Sequence, residues 1–279
     1  MTGATNADGG ITLNKGAMIG KGMSAEVYEW GDQQVLKLYY DNYQPEWVRF
    51  EAEISAAVKE AGVPAPSVYE MLEEGGRHGL LYERIPGVSM LAMIQSSPYR
   101  ILRYAREMAW LHWSIHRCST TKLPRQKDRL EQAINDSKEL LGEKTKLICE
   151  FMDTLPTGNW VCHGDFHPDN ILMTNHQSIA IDWTNASIGD PMCDVARTSL
   201  MLLSPFNPPG TPRTMEPLLC LFKRILNRAY LNEYCRSSNI KADSMNSWIL
   251  PVAAARLREG IPGEQEWLLL LINHRLQNI

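Results

Sequence analysis

Three oxygen-bearing side chains lying close together in the sequence could do chemistry on a phosphate ester. Asp165 and Asn170 fall within His163-Gly164-Asp165-Phe166-His167-Pro168-Asp169-Asn170, and Asp182 follows Asn170 by twelve residues in Ile181-Asp182-Trp183. Asp165 could take a proton from a substrate hydroxyl. Asn170 and Asp182 could hold magnesium ions that neutralise charge developing on a transferred phosphate. His-Gly-Asp alone also reads as a turn, because Gly permits unusual dihedrals and Asp and Asn cap local backbone. The rest of the chain decides between the two.

Short apolar runs flank the motif. Residues 159–162 and 171–174 read as strands on either side of it and 178–183 as a third, so the motif is a loop between strands and Asp182 stands at a strand end. Upstream, Gly20-Lys21-Gly22-Met23-Ser24-Ala25-Glu26-Val27-Tyr28 opens a hairpin that turns again at Gly31-Asp32 and returns through Val35-Leu36-Lys37-Leu38-Tyr39. Backbone amides around Gly20, Gly22 and Ser24 could approach phosphates unobstructed by side chains. Lys37, in the middle of an apolar strand, needs an anionic partner. The next segment, 45–61, has helical spacing, with Phe50, Ile54, Ala57, Val58 and Ala61 on one face. Glu51 on that helix is the first choice as partner and Glu53 the second; both also fit a solvated helix face.

The ordered set resembles the aminoglycoside phosphotransferase and choline kinase group, which shares the protein-kinase-like fold. The likeness spans roughly residues 16–200. It implies an α+β architecture with a small β-rich N-lobe, 1–84, and a larger, mainly helical C-lobe, 85–279, joined by a hinge at Leu80-Leu81-Tyr82-Glu83-Arg84-Ile85-Pro86-Gly87. It further implies that the backbones of Glu83 and Ile85 bind adenine, that Lys37 paired with Glu51 places the ATP phosphates, that Asp165 is the base, and that Asn170 and Asp182 bind Mg2+. Gly189-Asp190-Pro191 with Asp194-Val195-Ala196 resembles the segment that closes the family pattern. Protein kinases proper carry Asp-Phe-Gly, a long activation segment and Ala-Pro-Glu. This chain has none of them, and only seven residues separate Asp182 from Asp190, which favours a small-molecule acceptor over a protein.

Composition agrees with that reading. The 279 residues, 44% of them hydrophobic, are enough for two cores. No apolar run reaches membrane-spanning length, and the polar start Met1-Thr2-Gly3-Ala4 has no signal-peptide core, so a soluble cytoplasmic protein is expected, with no nucleic-acid or membrane partner. Cys118, Cys149, Cys162, Cys193, Cys220 and Cys235 show no C-x-x-C pairing and read as reduced, mostly buried thiols. His163 and His167 read as packing and orienting groups for their loop. Helical spacing extends over 99–116 and 130–152, with Trp110, Trp113 and nearby methionines as core, and 204–212 is a proline-rich loop.

The expected activity is transfer of the γ-phosphate of ATP to a hydroxyl of a small molecule. The alternative is a catalytically inactive nucleotide-binding regulatory or scaffold protein of the same fold, which the filled chemical positions argue against. For the acceptor, residues 1–194 carry 18 Lys and Arg against 26 Asp and Glu, and residues 195–279 carry 10 against 6. A basic C-terminal segment matches a polycationic aminoglycoside poorly. Amino alcohols, sugars and antibiotics therefore all stay open.

Overall fold

The computed structural model describes residues 15–207 and 212–277. The polar start 1–8 and part of the proline-rich loop, 208–211, lie outside the described residues. The chain divides into two compact units, Met1–Gly87 and Val88–Ile279.

The first unit is an antiparallel sheet of β1 (Lys15–Lys21), β2 (Ala25–Trp30), β3 (Gln34–Tyr39), β4 (Val68–Glu74) and β5 (Arg77–Glu83), ordered β1-β2-β3-β5-β4, with helix α1 (Pro45–Glu60) against it. Side chains alternate along β3. Leu36 and Leu38 go to one face, where they pack with Leu81, Tyr28, Trp30 and Leu72. Tyr39 goes to the other, with Val48 of α1, Ala25 and Leu80. Lys37 shares the face of Tyr39 and is thereby aimed at the helix. The buried side of α1 is Val48, Glu51, Ile54, Ser55, Ala57 and Val58. Phe50, expected inside, is 42% exposed. Turning Glu51 toward Lys37 carries its neighbour about 100° away, since α-helical residues succeed one another at 3.6 per turn.

The second unit runs β6 (Val88–Ser89), α2 (Met90–Ser96), α3 (Ile101–Ile115), α4 (Gln126–Asp136), α5 (Lys138–Leu141), α6 (Lys144–Asp153), β7 (Trp160–Cys162), β8 (Ile171–Met173), β9 (Ser178–Ala180), β10 (Ser187–Gly189), α7 (Pro191–Leu203), α8 (Glu216–Ser238), α9 (Asp243–Asn246), α10 (Ile249–Arg256) and α11 (Gln265–Leu276). β10 pairs with β7, and β6, β8 and β9 form a second small sheet. The single helix expected over 130–152 is three. Ser137 returns its hydroxyl to the Ala133 carbonyl at the end of α4, and Gly142 takes φ +58 after α5, which no continuing helix allows. Trp110 is 67% exposed rather than core, because the buried stripe of α3 is Tyr104, Ala105, Met108, Leu111, His112 and Ile115; Trp113 is half-buried, edge-on to Tyr234. Only Cys162 and Cys193 among the six free cysteines are buried, and Cys220 is exposed. Among the described residues no helix is long and apolar enough to cross a membrane.

Candidate active site

In the first unit, residues 22–24 close the β1–β2 hairpin. The Gly22 amide donates to the Ala25 carbonyl at 2.8 Å, and the Tyr40 amide and hydroxyl hold the Ser24 and Gly22 carbonyls at 3.1 Å each. Gly20 sits opposite Val27 in the ladder. Neither Gly20 nor Gly22 has a positive φ, so their contribution is the absence of a side chain over the backbone. Lys37 Nζ donates to Glu51 Oε1 at 2.7 Å, and Glu53 is not the partner. The Tyr82 hydroxyl donates to the same oxygen at 3.0 Å and meets Ser55 Oγ at 3.1 Å. Glu51 is 3% exposed, so this is a buried carboxylate with a cation and a hydroxyl on one oxygen. At the end of β5, the Glu83 amide donates to the Ser67 carbonyl at 2.8 Å, while the Ser67 amide turns to the Glu83 carboxylate at 3.0 Å. The strand ladder stops there. That serine bond is the main cause of a Glu83 carboxyl held below its ordinary range. Past it, the Ile85 carbonyl accepts from the Gly87 amide at 2.8 Å.

In the second unit, β7 delivers the chain into residues 163–170 and β8 takes it out. Gly164 adopts φ +76, and a Cβ there would stand 2.3 Å from the Asn185 carbonyl oxygen, so both conformation and space require glycine. His163 is fully buried. Its Nδ1 accepts from the Asp165 amide at 3.2 Å, which leaves Nε2 to donate to the Ile181 carbonyl at 3.0 Å. It thus ties the Asp165 turn to the segment carrying Asp182. Asn170 Nδ2 donates to the Asp165 carbonyl at 2.9 Å and to Asp165 Oδ2 at 3.3 Å, turning its amide oxygen the other way. The Ile181 amide donates to the Asn170 carbonyl at 2.9 Å, which brings Asp182 alongside Asn170. Asp182 is not at a strand end as the sequence implied. β9 stops at Ala180, and Asp182 stands beyond it at φ +64, an uncommon conformation for a residue other than glycine.

Arg197, on α7, is the group that sequence reasoning missed. Its Nε donates to the Gly164 carbonyl, and its Nη2 lies 3.5 Å from Asp165 Oδ1 and 2.6 Å from Glu259 Oε1. His167 Nε2 stands 3.6 Å from Asp165 Oδ2. Burial works against the Asp165 charge, but the His167 imidazole and the Arg197 guanidinium outweigh it and hold the carboxyl well below its ordinary range. Asp165 is therefore an acceptor throughout the neutral pH range. The oxygens of Asn170 and Asp182 are the hard donors that suit Mg2+.

Asp190 caps α7 through the Met192 amide at 2.8 Å. Asp194, one turn on, is 2% exposed and accepts the amides of His163 at 2.6 Å and Gly164 at 2.9 Å.

A model of the phosphotransferase enzyme family (APH) matches residues 16–215. Among solved structures, an aminoglycoside-3'-phosphotransferase of type VIII matches with a TM-score of 0.58 and 20% identity over 87% of this chain and 93% of its own. A choline kinase from Cryptosporidium parvum Iowa II matches with a TM-score of 0.56 and 15% identity over 95% and 88%. The APH(2'')-IIa of a streptomycin-ATP ternary complex matches with a TM-score of 0.58 and 17% identity over 94% and 92%. At these identities the likeness establishes the α+β, protein-kinase-like fold. No protein of curated function matches the chain in sequence.

Proposed function

The chain belongs to the phosphotransferase enzyme family, and from that premise we propose that it transfers the γ-phosphate of ATP to a hydroxyl of a small molecule. The observation that carries this is Asp165, a carboxylate kept ionised by Arg197 and His167 and clamped by Asn170. An acceptor hydroxyl gives its proton to Asp165 as its oxygen bonds to the γ-phosphorus; the bond from that phosphorus to the β-phosphate oxygen breaks, and ADP leaves. Such a reaction asks the protein mainly for position and electrostatics. In the first unit, Lys37, fixed by Glu51, meets the nucleotide phosphates together with the glycine-bearing hairpin at Gly20, Gly22 and Ser24, whose Gly22 amide holds the turn itself, while the backbones of Glu83 and Ile85 meet the adenine. Asn170 and Asp182 would hold Mg2+, which when bound offsets phosphate charge.

The test is ADP release from MgATP across a panel of amino alcohols, sugars and aminoglycoside and macrolide antibiotics, with Asp165→Ala alongside. The expected result is a hit that the variant abolishes while keeping its affinity for MgATP. A hit that survives in the variant would remove Asp165 as the base. Binding of MgATP without turnover on any acceptor would favour the regulatory, non-catalytic reading.

A further inference from the structure

Behind the Asp165 turn lies a buried polar cluster that the proposed reaction does not use. His112 lies on α3 and His116, one turn later, caps its end, while Tyr230 and Tyr234 are one turn apart on α8. Each histidine meets the tyrosine 118 residues further on: His112 Nδ1 to the Tyr230 hydroxyl at 2.6 Å, and His116 Nδ1 to the Tyr234 hydroxyl at 2.6 Å. The constant offset means that the two helices run parallel and in register across this contact. The opposite ring nitrogens converge on one oxygen, with His112 Nε2 at 3.0 Å and His116 Nε2 at 3.2 Å from Asp194 Oδ2. All five side chains are at most 2% exposed.

The chemistry of the groups fixes the direction of the bonds to Asp194. A carboxylate only accepts, so both Nε2 atoms must carry the proton. His112, held neutral by burial, then presents Nδ1 as an acceptor, so the Tyr230 hydroxyl donates to it, and a neutral His116 takes the Tyr234 hydroxyl in the same way. Burial keeps His112 neutral, and the donors around Asp194 outweigh its own burial and keep it charged, as this pattern requires. Asp194 therefore collects two imidazole N–H groups and the backbone amides of His163 and Gly164. Those amides immediately precede Asp165. Phenylalanine would fill both positions on α8 with the same ring, so the hydroxyls are what the core has gained.

We propose that Tyr230 and Tyr234 are positioning residues for Asp165: through His112 and His116 they orient Asp194, which clamps the two amides that set the Asp165 turn. The inference rests on Asp165 being the base only for its effect on turnover; its effect on the loop stands without it. The same convergence of two imidazoles and a carboxylate is also a possible metal-ligand geometry, and the two readings separate experimentally, because an ion would strip the protons from both Nε2 atoms.

The experiment compares Tyr230→Phe, Tyr234→Phe and the double variant with the intact protein. Hydrogen exchange is followed at the His163 and Gly164 amides, with β3 amides as an internal reference, alongside kcat and KM for MgATP and the metal content of the purified wild type. Either single variant should speed exchange at the two loop amides about fivefold relative to β3, the scale of one neutral hydrogen bond, and the double variant more. In parallel, kcat should fall and KM for MgATP hold. Unchanged loop exchange in the double variant, acceleration spread evenly over loop and β3, or a stoichiometric divalent ion in the wild type would each overturn the proposal. If Asp165→Ala keeps its turnover, the base assignment fails on its own, and the exchange result can still be read.

Discussion

Replacing Arg197 with glutamine should move the acid limb of activity to higher pH. Arg197 Nη2 lies 3.5 Å from Asp165 Oδ1. Two unit charges at that distance interact by about 1.2 kcal/mol in bulk water and about 5 kcal/mol at an effective dielectric of 20. The Asp165 side chain is 28% exposed, and the guanidinium is shared with Glu259 at 2.6 Å, so the lower part of that range applies. About 1.4–2.8 kcal/mol corresponds to roughly one to two pH units. The sign follows from the proposed role: a base works ionised, the cation favours the ionised form of Asp165, and its removal raises the pKa, bringing protonation to a pH where the wild type is still fully ionised. Glutamine can still donate to the Gly164 carbonyl, so the charge is removed with little change to the turn. The direct assay is a 13C NMR titration of the Asp165 carboxyl, assigned against Asp165→Asn. The pH profile of kcat/KM on a confirmed acceptor is the second, and the nucleotide's own titration cancels in the ratio of variant to wild type. An Asp165 midpoint that stays where it is in Arg197→Gln would refute the electrostatic account of this residue.

Two further outcomes follow from the geometry. Lys37→Met takes the cation from the buried Glu51 carboxylate, and should lower stability in urea unfolding by about 3 kcal/mol; a loss no larger than that of Lys21→Met, whose side chain is 64% exposed, would show the pair to be unimportant. Gly164→Ala forces both a positive-φ alanine and a Cβ onto the Asn185 carbonyl, so its thermal stability and turnover should fall well below those of Gly260→Ala, where the backbone is left-handed at φ +59 but nothing lies within 4 Å and the penalty is roughly 1–2 kcal/mol. Equal penalties at the two glycines would mean that the loop yields.

The residues that were legible in the sequence are those whose arrangement is set locally. Asp165 and Asn170 sit on the loop that enters β8 and Asp182 two residues beyond β9, and the pairing of β8 with β9 brings these segments together. Lys37 and Glu51 were legible because a lone cation in a hydrophobic strand demands a partner and the next helix supplies one. Arg197 and the tyrosine–histidine cluster were not, because they depend on partners 32, 78, 82 and 118 residues away. The one available signal was the i, i+4 spacing of His112 with His116 and of Tyr230 with Tyr234, polar pairs repeated at helical period on faces that are otherwise core. The split of 130–152 was missed for a related reason. Leucine and isoleucine spacing continues through Gly142, and only the backbone shows that the glycine takes a positive φ.

The net charge of the C-terminal segment is a poor guide to the field an acceptor meets. Residues 195–279 carry ten cations against six anions, which counted against a polycationic acceptor. Four of those ten cations are ion-paired inside the second unit among the described residues. Arg197 serves Asp165 and Glu259, and Arg256 is forked onto Glu264 and bonded to Glu259. Arg258 meets Asp136, and Arg236 meets Glu233. A cation paired at hydrogen-bond distance contributes little to the field a ligand feels. At Asp165 itself, two carboxylates, Asp165 and Glu259, share the Arg197 guanidinium. The local balance beside the candidate base is therefore not basic, and the net charge of the segment does not argue against an amine-bearing acceptor. Polycationic aminoglycosides belong in the acceptor panel on equal terms with amino alcohols and sugars, and the salt dependence of KM for any hit reads the sign directly: a cationic acceptor drawn by this site should lose affinity as ionic strength rises, and an anionic one should not.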